Sequence, residues 1–337
     1  MKKLICLMMS LVSVFVFASC EKQPKDETIR IKYYAQTDDL LDAIKERKET
    51  VALIAEPTLS EILYLTKYSI QLDVQELYGE YPQDVVVAKK SVIESDGEFI
   101  TIISNGIRQG VSWLKLNAHD GVEQVYHNLP QNATPILNAY ITSDTIVRCN
   151  ISFTSAISAK SIIQSYFENL NSVQENTAVF PSNEFFYDGL STSANLEGEY
   201  TIVTPDGTPA LSLAQLMYTN RQSMRANNSN GNVRQITYKV VAPETISTYV
   251  KNADESMLGD VVVLPVLDAV KLIGDGDVYQ MLGIATKGNS YIISNQNIST
   301  VNDLKGKTIA VAGQGEVGDL TLQCVLNKNQ LVYKKAE

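Results

Sequence analysis

Histidine is almost missing from these 337 residues: only His119 and His127 occur, and cysteine appears four times, at Cys6, Cys20, Cys149 and Cys324. The cysteines are far apart, with no C-x-x-C and no histidine close by, which excludes the usual zinc sites. H-E-x-x-H, a G-x-S-x-G elbow and a P-loop are missing too, so no catalytic set stands out. The two histidines fall in a helical stretch without a companion carboxylate or thiol motif and read as solvated or packing residues. Basic residues are outnumbered, 28 Lys and Arg against 38 Asp and Glu, for a formal charge of −10. Phosphate recognition needs a clustered basic face, so nucleic acid is excluded as a partner. Beyond the N-terminal segment no run is long and apolar enough to cross a membrane. The expectation is a protein that is not an enzyme and needs no cofactor and no metal. One fingerprint competes with it: Gly313-Gln314-Gly315-Glu316-Val317-Gly318 fits G-x-G-x-x-G after a strand. A lone match of this kind is weak.

What is present begins with Lys2-Lys3 and the apolar run 4–18, a basic n-region and an h-region too short for a membrane span. It ends Phe17-Ala18-Ser19-Cys20, which resembles a bacterial lipobox although Phe17 stands where Leu is usual. Residues 1–19 are therefore expected to be a signal peptide, Cys20 the lipidated residue and 20–27 a polar tether. Removal of 1–19 takes two lysines and no acid, giving 26 − 38 = −12. Export leaves two options for Cys149 and Cys324, a disulfide or buried free thiols.

Three consecutive passages then pass from a β-type run through a Pro or Gly turn into a helical pattern. Tyr200-Thr201-Ile202-Val203 leads into Thr204-Pro205-Asp206-Gly207-Thr208-Pro209, with Thr208 placed to cap a helix and Pro209 as its first residue. Val261-Val262-Val263-Leu264-Pro265 and Thr308-Ile309-Ala310-Val311-Ala312 repeat the plan. A fourth copy, Val51-Ala52-Leu53-Ile54-Ala55-Glu56-Pro57, reads as a pseudo-repeat of the passage that ends at Pro265. Thr37 or Asp38 is placed to cap another helix after the strand 29–34. In open α/β sheets the ligand sits in the crevice where such helices begin.

The order TPDGTPALSLA, DVVVLPVLDAVKLIG, YQMLGIATKGNSYIIS and DLKGKTIAVAGQG resembles the N-terminal half of ABC-importer solute-binding proteins of the nitrate/sulfonate/taurine and thiamine-precursor group. In that family the half comes first; here it comes last. The resemblance therefore implies an α/β, two-lobe periplasmic-binding-protein-like fold of type II, circularly permuted. It implies lobe two from 28–86 plus 298–337 and lobe one from 87–297, with 190–195 as the permutation linker. It implies a small-molecule ligand held by Thr204, Asp206, Gly207, Thr208, Pro265, Gly288, Asn289, Gln314, Gly315, Thr37, Asp38, Glu56 and Pro57. The partners implied are an ABC permease and, through Cys20, the membrane at the cell envelope. Asp206 and Glu56 would repel an anion unless neutralised, which points to a ligand with donor groups. The aromatic candidates are Tyr33, Tyr34, Tyr64 and Tyr291. Two other readings are a sensory or partner-binding lipoprotein and an enzyme similar to thiamine-pyrimidine synthases, whose histidine and cysteine-rich motif are missing here.

Overall fold

The computed structural model describes residues 26–175, 177–226 and 234–336. The expected signal peptide, Cys20 and most of the expected tether lie outside the described residues. Among the described residues twelve strands follow in chain order: β1 Ile29–Tyr34, β2 Val51–Ala55, β3 Ser69–Asp73, β4 Pro82–Lys89, β5 Ile151–Ser155, β6 Glu199–Pro205, β7 Gln235–Val241, β8 Val261–Pro265, β9 Tyr279–Lys287, β10 Ser290–Ser294, β11 Thr308–Ala312 and β12 Tyr333–Lys335. They form two six-stranded sheets, β12-β1-β11-β2-β10-β3 and β5-β9-β4-β8-β6-β7. Helices accompany both, and the chain is an α/β protein of two lobes.

The two sheets share a plan. In one, β1, β11 and β2 are parallel neighbours, and β10 runs antiparallel between β2 and β3. In the other, β7, β6 and β8 are parallel neighbours, and β4 runs antiparallel between β8 and β9. β2 and β8 hold equivalent places, in line with the pseudo-repeat of VALIAEP and VVVLP. The antiparallel strand in each sheet arrives from the other lobe. Val85, Val86, Val87 and Ala88 on β4 are fully buried, as a strand covered on both faces must be.

The chain crosses between sheets at Tyr78–Pro82 and at Lys287–Ser290, because β4 and β9 belong to one sheet and β3 and β10 to the other. The boundaries expected at 86/87 and 297/298 thus fall past the crossings: residues 82–86 pair in the lobe-one sheet, and β10 pairs in the lobe-two sheet. Local starts differ as well. The helix Thr208–Ser212 has Gly207, at φ 101°, as its N-cap, not Thr208, and the helix Thr37–Lys45 is preceded by Gln36 with no side-chain cap. Both expectations treated a hydroxyl or carboxylate as free to cap, whereas Thr208 is turned to the other lobe.

Behind the crossings lies an aromatic cluster. Tyr81 and Tyr166 stack with centroids 5.6 Å apart, and Tyr78 meets both edge-on at 5.7 and 5.8 Å. Tyr166, on the helix Ala156–Val173, also shares a 2.7 Å hydroxyl contact with Thr321 on the helix Val317–Lys328. A single apolar core therefore runs through both lobes at this end. Gly288 belongs to it: a Cβ there would lie 1.9 Å from the ring of fully buried Tyr81. The glycine is needed for ring packing, so Gly288→Ala is expected to destabilise the protein by about 1–3 kcal/mol, the range for core overpacking. Urea denaturation would check this; an unchanged midpoint would remove Gly288 from the hinge packing.

Candidate functional site

The carboxyl ends of β2, β6, β8 and β11 converge from both sheets on a cavity of about 260 Å3. Each of these strands feeds a helix whose first residues reach the cavity wall, at Pro57–Thr58, Gly207–Thr208, Pro265 and Glu316. Thr37, Glu56, Pro57, Asp206, Gly207, Thr208, Pro265 and Asn289 of the expected set line it. Asp38, Thr204, Gly288, Gln314 and Gly315 do not. Asp38 is exposed in its helix, and the Thr204 hydroxyl turns to the Pro205 carbonyl at 3.3 Å. Gln314 accepts from Lys335 at 3.2 Å, and the Gly315 N–H donates to Asp319 at 2.8 Å.

Glu56 is the joint of the site. Its side chain is wholly buried and accepts from Arg148 Nε at 2.6 Å and from the N–H and hydroxyl of Ser60 at 3.1 and 3.0 Å. Burial lifts its carboxyl above the ordinary range, while Arg148 and Ser60 pull the other way. Its backbone carbonyl accepts from Thr208 and Asn289, both at 3.1 Å. Arg148 ends the helix Ser143–Arg148 of lobe one, so this is a bond between lobes. Ser60 and Thr145 add a 2.7 Å hydroxyl pair, Asn138 donates to Glu61 at 3.0 Å, and Tyr64 stacks on Tyr140 at 4.5 Å. Tyr64 thus joins the seam between lobes, while Tyr33 bonds Asp319, Tyr34 bonds Glu49, and Tyr291 donates to the Arg148 carbonyl. None of these four tyrosines lines the cavity.

The remaining walls are acidic. Asp206 accepts from the N–H groups of Ile136 and Gly207, both at 2.7 Å, and burial raises its pKa against those donors. Asp319, 1% exposed, accepts from Tyr33, Gly315 and Gln323. Asp84, 4% exposed on β4, accepts only the Thr286 hydroxyl, at 2.5 Å on Oδ2, and burial pushes its pKa to about 6. Glu316, at the cavity mouth, is pushed up by loss of water and by the carboxylates of Asp268 and Asp319. The sequence reading missed Asp84, Glu316, Asp319 and Arg148. Asp84 carried a signal, one acid at the head of the apolar run 85–88; Arg148 carried none, because its partner is 92 residues away.

No histidine enters the site: His119 and His127 sit on the helix Ala118–His127, both exposed. Cys149 and Cys324 are free and buried, and Cys149 receives the Thr208 hydroxyl at 3.5 Å. Among the described residues no group of three His, Cys, Asp or Glu is placed to hold a metal ion, and no helix is long and apolar enough to cross a membrane. An open depression of about 570 Å3 near Asn183 and Tyr187 lies on lobe one alone, away from these strand ends.

No protein-family model matches the chain, and no curated protein does. Among the solved structures distantly similar to it are those of NikA and CtaP. NikA from Staphylococcus aureus, in complex with Ni(L-His)2, aligns over 79% of this chain and 57% of its own, at 10% identity and a TM-score of 0.37. The ABC transporter substrate-binding protein CtaP from Listeria monocytogenes aligns over 77% and 53%, at 10% identity and a TM-score of 0.28. The chain spans little more than half the length of either. At this distance neither neighbour transfers a role, and the functional reading rests on the cleft.

The acidic wall yields a stability test. Asp84 binds its proton more tightly folded, at about 6, than at the ordinary 3.8, so the fold is favoured by protonation and loses stability as pH rises from about 4 through 6. Two pKa units correspond to at most about 3 kcal/mol. Asp84→Asn is expected to raise the melting temperature at pH 8 and leave it nearly unchanged at pH 4. An equal effect at both pH values would show that burial of this charge is not what strains the site.

Proposed function

We propose that the chain is an exported solute-binding lipoprotein that encloses a small organic molecule between its lobes and delivers it to an ABC importer. The observation that carries this is the cavity itself, walled by strand ends and helix starts of both sheets and backed by two chain crossings that can serve as a hinge. The N-terminal signal, the lipobox-like Cys20 and the resemblance to the nitrate/sulfonate/taurine group support export, anchoring and the importer partnership.

The strand order supports the permuted reading. In the lobe-one sheet the three parallel strands follow one another in sequence as β6, β7, β8. Their equivalents in the lobe-two sheet are β11, β1, β2, which become consecutive only if the segment ending at β12 is taken to precede β1. β12 runs parallel beside β1, with Tyr333 opposite Ile29, so the two ends of the described chain lie on one edge of the sheet, as the permuted reading requires.

A thermal-shift screen of sulfonates, nitrate, aminopyrimidines, flavin-like rings, amino acids and amines tests the solute-binding reading. A ligand at a hundred times its dissociation constant adds about 2.7 kcal/mol, a rise of several degrees for a chain this size. One class moving a single cooperative transition is the expected result. A cooperative melt that no class moves would favour a lipoprotein that binds a partner protein.

A further inference from the structure

Five acidic residues line the cavity, Glu56, Asp84, Asp206, Glu316 and Asp319, and among the described residues no lysine, arginine or histidine does. They are not equivalent. Glu56 is neutralised by Arg148 from behind the wall, Asp206 is held by two backbone N–H groups, and Asp319 by one N–H, a phenol and an amide. Asp206 also occupies a backbone donor on the wall that would otherwise be free for an anionic ligand, the Gly207 N–H. The strand-end crevice is thus already filled with negative charge from the protein itself.

Two acceptors remain unmatched. Asp84 has one oxygen on Thr286 and, among the described residues, no donor on Oδ1 and no basic side chain paired with it. The adjacent Gln83 has its Oε1 without a partner among the described residues, but enclosed and out of reach of a molecule in the cavity. A buried carboxylate without a counter-charge is costly unless a bound cation completes it. The carboxylates are spread around the wall and do not gather in threes, which suits a molecule more than a metal ion.

We infer that the cleft takes a small organic cation, a protonated amine, quaternary ammonium or amidinium, whose charge sits against Asp84. This rests on the solute-binding reading and specifies its substrate class. The cavity, at about 260 Å3, lies below the roughly 300–1,000 Å3 typical of drug-sized ligand sites, so the cation is of metabolite size. Glu316 adds a second negative charge at the mouth, where it attracts a cation and disfavours an anion.

The test uses the full-length chain in detergent and matched probes: benzamidine against its neutral isostere benzamide, choline against 3,3-dimethyl-1-butanol, and benzenesulfonate as the anion. Titration calorimetry is expected to show at least one cation bound tenfold or more tightly than its neutral counterpart and no binding of the sulfonate. Asp84→Asn, which is expected to fold at least as well as the parent, should abolish that preference while leaving the weak affinity for the neutral isostere in place. A loss of both affinities together would mark Asp84 as structural and overturn the assignment. Neutral or anionic probes binding as tightly as cations would overturn the cation inference and leave the solute-binding reading standing. No binding by any probe, with no small molecule released on denaturing the purified protein, would overturn both.

Discussion

A carboxylate of one lobe buried against a guanidinium of the other holds this structure in its present shape. Glu56 and Arg148 meet where β2 gives way to a helix, and the backbone carbonyl of the same Glu56 gathers Thr208 and Asn289. An ion pair of this kind adds little stability by itself, because desolvation offsets the attraction. Its contribution is geometric: both charges are satisfied only when the lobes are in register. The Ser60–Thr145 and Tyr64–Tyr140 contacts depend on the same register. On the far side, Tyr78, Tyr81 and Tyr166 pack together behind the chain crossings.

Between the polar seam and the aromatic cluster lies the cavity, and its chemistry follows from the fold. Strand ends bring helix starts, helix starts bring unpaired N–H groups, and here protein carboxylates satisfy several of them. That arrangement leaves Asp84 short of a partner near the start of a buried strand. Such a group lowers stability when empty and gains most from a ligand, the usual exchange of stability for function.

Much of this was legible in the sequence, and the parts that were not have physical reasons. Pro57, Pro205, Pro265 and Gly207 punctuate their strands, so strand ends and the turns that face the cavity could be read locally. Lobe boundaries could not, because the run 85–88 is a buried central strand and reads the same in either sheet. Gly288 was recognisable as a glycine between two strands, but whether it faced a ligand or a ring depended on Tyr81, placed by tertiary packing. Thr208 had the residue type and position of a cap, yet a carbonyl from the other lobe claimed its hydroxyl. Arg148 had no local mark at all. Contacts between lobes carry no periodicity, and they are what separate a cleft from a list of turns.

The central claim is that Glu56 and Arg148 hold two lobes that otherwise pivot apart. It is tested most directly by a spin-label distance measurement between Lys67→Cys on one lobe and Gln131→Cys on the other, both exposed positions. Cys149 and Cys324 are buried, and Cys6 and Cys20 are replaced by serine, so the labels go where they are placed. The account predicts a narrow distance distribution that broadens to longer values when Arg148→Met is added. Identical distributions with and without Arg148 would contradict it.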